Sequence, residues 1–100
     1  MLRNRQILTF EAAEGIAAQG LAFLAEEPAR FMRFLSATGL TPDQIREQVE
    51  QPGFLAAVLE HLVGDESLLL VFAANTSVAP ETVTPALDLL QQAGRGTAKS

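Results

Sequence analysis

One hundred residues, 48% of them hydrophobic, suffice for one domain with a single buried core; they exclude a second domain of comparable size and a wholly disordered chain. The absence of cysteine removes disulfides, thiolate nucleophiles, zinc–thiolate sites and iron–sulfur clusters, and leaves the redox compartment open. The net charge of −5 is unevenly spread: between Thr9 and Ala93, 12 acidic residues stand against three arginines (Arg30, Arg33, Arg46), so that body carries −9 and repels a phosphate backbone.

Nucleic acid would have to be held by Arg3, Arg5, Arg95 and Lys99 alone, and no nucleic-acid partner is expected. No membrane partner is expected either, because the longest uncharged stretch, Ser67 to Pro80, falls short of the roughly 20 apolar residues a span requires. Glu11 and Glu14 interrupt the apolar run that a secretory signal would need, so the expected location is the cytoplasm. With 16 Ala and 15 Leu against 6 Val and 3 Ile, and no Trp or Tyr, propensity favours helices over strands.

After an N-terminal arm (residues 1–8), Thr9 is placed to cap a first helix reaching about Glu26, with Glu11 and Glu14 near its positive end. Phe10, Ala13, Ala17, Gly20, Leu21 and Leu24 recur at steps of three and four along one face, and the Ala13, Ala17, Gly20 seam invites close helix packing. Pro28 suits the first position of a second helix to Thr38, with Phe31, Phe34 and Leu35 inward and Gly39 at a left-handed C-cap. Thr41-Pro42-Asp43-Gln44 reads as a capping box opening a third helix to about Gln51, Ile45 and Val49 pointing inward. Pro52-Gly53 ends it. Phe54, Leu55, Val58, Leu59 and Leu62 then form the stripe of a fourth helix stopping at Gly64, and Asp65 caps a fifth from Glu66 to about Ala74. A sixth begins near Pro80 with Val83, Leu87 and Leu90 aligned; Thr84-Pro85 is expected to kink or restart it. The helical domain should span residues 9–93, and the composition from Gly94 reads as a disordered tail, residues 94–100.

An internal similarity appears at an offset of 38 residues: Leu21 with Leu59, Leu24 with Leu62, Glu27 with Asp65, Phe34 with Phe72, Thr38 with Thr76 and Pro42 with Pro80. Two similar three-helix units would give this register, and so would shared cap grammar. Both lead to the same all-α fold, a compact bundle of about six short helices. At this offset Arg30 and Arg33 of the second helix, placed on its wet side, correspond to Leu68 and Val71 of the fifth, which is apolar all round. A helix of that kind is expected at the centre of the bundle. The alternative is that Leu68 and Val71 belong to an exposed patch where a second copy or another protein docks. Leu68, Val71, Arg30 and Arg33 are therefore the candidate partner surface.

Catalytic signals are sparse. His61, the one histidine, lies at the edge of the fourth helix's stripe, aligns with Phe23 and is expected half-buried. Asp65 is four residues on, but Gly64 breaks the helix between them and no third ligand has usable spacing, so no metal is expected. The carboxylates sit at helix starts and on polar faces, and no phosphate-binding loop or hydrolase motif occurs; no catalytic residue or cofactor is expected.

The segments from Leu21 to Pro28, Phe34 to Pro42, Phe54 to Leu59 and Gly64 to Ala73 resemble a family of small all-helical domains of unknown function known chiefly from proteobacteria. The Thr38-Gly39-Leu40-Thr41-Pro42 corner and the Gly64-Asp65-Glu66 break are its most specific pieces; Ser77, where the first corner has Gly39, and Pro85 depart from the pattern. The resemblance implies a compact bacterial cytoplasmic protein and transfers no site. The expected function is a non-catalytic interaction or oligomerisation module whose partner is an unknown protein or a second copy. The alternative is a small-molecule binder or enzyme with a pocket between the two units near His61.

Overall fold

The computed structural model describes residues 8–99, with side chains through Gly94. Residues 1–7, including Arg3 and Arg5 of the expected arm, and the side chains of Arg95 and Lys99 lie outside the described residues. Six helices follow one another: α1 (Phe10–Ala25), α2 (Pro28–Thr38), α3 (Pro42–Gln48), α4 (Pro52–Val63), α5 (Glu66–Thr76) and α6 (Pro80–Lys99), with no strand among the described residues.

Local chemistry sets the helix ends. The Thr9 hydroxyl accepts from the Ala12 N–H at 3.0 Å, and the Asp65 carboxylate accepts from the Leu68 N–H at 3.2 Å. Thr41 and Gln44 exchange bonds in a full capping box, with Pro42 in the first turn. Pro52 opens α4 rather than merely closing α3, which ends at Gln48. Val49 consequently lies past the helix and is exposed; Ile45 is the buried side chain of α3. Phe10, also expected inward, is partly exposed at the first position of α1.

Helix α6 runs through Pro85 without the expected restart. Pro85 sits on the exposed side of the second turn, where its ring removes one early backbone bond, while Ala86, Leu87 and Leu90 beyond it are buried. The helical backbone also continues past Gly94, where composition ended it, to Lys99.

The core is organised around α4, not α5. Helix α4 packs against α6 and α1, and α1 packs against α6, so these three form the main layer; α2 and α5 flank it. Small residues explain the choice. Ala13 and Ala17 are fully buried, and a Cβ on Gly20 would stand 3.1 Å from both Val58 and Leu62, so α1 and α4 approach more closely than large side chains would permit. The stripe of α4 (Phe54, Leu55, Val58, Leu59, Leu62) is wholly buried, as are Val83, Leu87 and Leu90 of α6. Helix α5 buries Phe72 and Ala73 and leaves its outer side uncovered, which corrects the expectation that it lies at the centre.

The offset of 38 is a structural register. It separates the ends of α1 and α4, both ends of α2 and α5, and the starts of α3 and α6. The second helix of each unit ends alike: Gly39 (φ 75°) and Ser77 (φ 63°) are both left-handed. Thr38 donates to the Phe34 carbonyl and accepts from the Leu40 N–H; Thr76 does the same with Phe72 and Val78. The packing between units is reciprocal as well. Phe23 of α1 meets Phe72 of α5 edge-on, with ring centroids 5.5 Å apart; the residues 38 positions away in each case, His61 of α4 and Phe34 of α2, meet edge-on at 5.3 Å. A contact from i to j repeated from j to i is the pattern of a two-fold dimer, here within one chain.

Candidate functional site

The four residues of the expected partner surface occupy different settings. Val71 is 45% exposed on the outer side of α5, whereas Leu68 leans inward and packs in part against the core. Arg33 is exposed on α2. Arg30 leaves the wet side where periodicity put it: its guanidinium lies 4.0 Å over the Phe23 ring, donates to the Phe23 carbonyl at 2.9 Å and pairs with Glu27 at 3.5 Å, so its side chain is only 16% exposed. It ties α2 to the end of α1. Helices α2 and α5 both lean on α1 and α4.

The large apolar side chain that the sequence reading overlooked is Leu70, 51% exposed beside Val71. With Ser67 and Ala74, also exposed, these make a stripe at steps of three and four along the outside of α5. Phe72 and Ala73 face the core, and this stripe lies opposite them. At the offset of 38 its counterpart on α2 is Ala29, Met32, Arg33 and Ser36, all exposed, with Met32 at 62%. Both units thus turn the same side of their second helix outward, and only α5 does so without a charge.

His61 is half-buried, as expected, against Phe34. Together with Glu60, Ala57, Ala37 and Thr38 it lines a cleft of about 190 Å³ between the units. That volume is below the roughly 300–1,000 Å³ of small-molecule sites. A depression of about 390 Å³ adjoins it, lined by Gly53, Ala56, Ala57, Glu60 and residues of α6, and one of about 430 Å³ lies by Glu14, Val49, Glu50 and Leu55. Both are open to solvent; the first carries Glu60 and Gln91 at its rim and the second the Glu14 and Glu50 carboxylates. Among the described residues no three His, Asp or Glu side chains converge on a metal position, and no helix is long and apolar enough to cross a membrane.

The model of a family of proteins of unknown function, DUF3572, matches residues 10–93. The chain belongs to the DUF3572 family. The match covers all of α1 to α5 and α6 up to Ala93, so the DUF3572 domain includes both units and their reciprocal packing. No curated protein and no solved structure matched the chain.

Proposed function

We propose that this DUF3572 protein is a non-catalytic interaction module of the bacterial cytoplasm that pairs with a second copy through the outer stripe of α5. The observation that carries the reading is the exposure of Leu70 and Val71 side by side on a helix with no charged residue from Ser67 to Pro80. An uncharged stripe accepts an identical stripe without stranding a charge, and around a two-fold axis the same patch serves both copies.

The energetics set the strength. Each half-exposed side chain recovers about half of the roughly 1.5–3 kcal/mol that full burial yields, so the four from two copies contribute about 3–6 kcal/mol. Association costs on the order of 4–15 kcal/mol. The four side chains do not offset that cost by themselves, so the pairing must also bury the flanking surface of α5 around Ser67 and Ala74, and it is weak, reversible and assembled by concentration. Sedimentation velocity from micromolar to millimolar protein should show the mean mass rising toward the dimer, and the double variant Leu70→Glu, Val71→Glu should stay monomeric with an unchanged helical spectrum. A wild-type chain monomeric throughout, or a variant that pairs as well as wild type, would refute the reading.

A further inference from the structure

The two units differ most tellingly where Arg30 sits. In the first unit its guanidinium meets three groups: the Phe23 ring, the Phe23 carbonyl near the end of α1, and the Glu27 carboxylate. Thirty-eight residues on, the same kinds of group stand in sequence, the His61 ring, the His61 carbonyl and the Asp65 carboxylate, one oxygen of which also caps α5 at the Leu68 N–H, while the cation itself is replaced by Leu68. A leucine reaches about as far as the arginine's aliphatic stem. The groups that a guanidinium would engage are kept without one.

Two further observations bear on this corner. The His61 carbonyl lies in the last turn of α4, where backbone acceptors run out of intrahelical partners. The two amides that follow turn elsewhere, Gly64 N–H to the Glu60 carbonyl at 2.9 Å and Asp65 N–H to the Leu62 carbonyl at 3.2 Å. In the first unit the matching carbonyl is met by Arg30 at 2.9 Å and by the Glu26 N–H at 3.3 Å. The ring also differs in exposure: Phe23 is 2% exposed beneath its guanidinium, whereas His61 is partly exposed. The surroundings favour a cation, since Glu60 is exposed and takes part in no ion pair among the described residues, and the body carries −9.

We propose that the corner formed by the His61 ring, its carbonyl and the Asp65 carboxylate binds a guanidinium supplied from outside, the arginine side chain of a partner protein. A planar guanidinium fits better than an ammonium, because it can stack on a ring and donate to the carbonyl and carboxylate at its edge in one pose. The site is separate from the α5 stripe and does not depend on it.

The test is an NMR titration of the full chain with N-acetyl-arginine amide, and in parallel with N-acetyl-lysine amide, following the His61 ring signals. The arginine probe should give a saturable shift in the millimolar range that the lysine probe does not match. Leu68→Arg, which supplies the guanidinium from within, should abolish the response. Asp65→Asn keeps a good helix cap but removes the charge, and should weaken binding severalfold while the fold persists; it decides the matter if Leu68→Arg does not fold. A non-saturable drift, equal response to lysine, or affinity unchanged in Asp65→Asn would overturn the proposal.

Discussion

Exchanging the residues at the two matching corners should move stability in opposite directions. Gly39 and Ser77 occupy the same left-handed cap, at φ 75° and 63°. An L side chain in that region costs about 1–2 kcal/mol that glycine avoids, while glycine gives back about 0.4–1 kcal/mol through the greater freedom of its unfolded chain. Nothing lies within 4 Å of a Cβ built on Gly39, so Gly39→Ala carries the backbone term without a collision. It should destabilise by about 0.5–1 kcal/mol, and Ser77→Gly should stabilise by a similar amount. In urea the midpoints should separate to either side of wild type with an unchanged slope, and the double variant should return close to wild type because the sites lie in different units. Midpoints moving in the same direction, or Ser77→Gly losing about 1 kcal/mol or more, would show that the corners are not equivalent.

Arg30→Ala should lose about 2 kcal/mol in chemical denaturation, since it removes a charge-assisted bond and a ring contact from a nearly buried side chain; Arg30→Lys should recover little, and full recovery would contradict the planar stacking. Gly20→Ala should lower the thermal midpoint although alanine is the better helix former. The added methyl meets Val58 and Leu62 at 3.1 Å, both fully buried, and overpacking of about 1–3 kcal/mol outweighs the roughly 1 kcal/mol gained in propensity; a raised midpoint would mean that the α1–α4 seam is looser than described.

Helix ends were legible because they are written locally. Thr9, Pro28, Gly39, the Thr41 box and Asp65 each solve a backbone problem within a few residues, and all five act where the sequence placed them. The register of 38 was legible for the same reason. What escaped depends on which helices approach most closely. An apolar circumference suggested a central α5, but the centre went to the helices that could come nearest, and Gly20 with Ala13 and Ala17 gave that place to α1 and α4. Arg30 escaped because periodicity fixes where a side chain leaves the backbone, whereas a long stem lets its charged end fold back onto a ring seven residues earlier. Leu70 was hidden within the seven-residue apolar run Leu68 to Ala74, in which only the tertiary neighbours decide which side is covered.

The central structural claim is that two similar units pack reciprocally, and its most direct measurement is a nuclear Overhauser spectrum of the isotopically labelled full chain. Cross-peaks should join the Phe23 and Phe72 rings and, independently, the Phe34 and His61 rings, at the 5.5 and 5.3 Å centroid separations described above. A folded helical spectrum in which one pair shows its contact and the other does not would contradict the reciprocal arrangement, and with it the comparison on which the guanidinium corner is built.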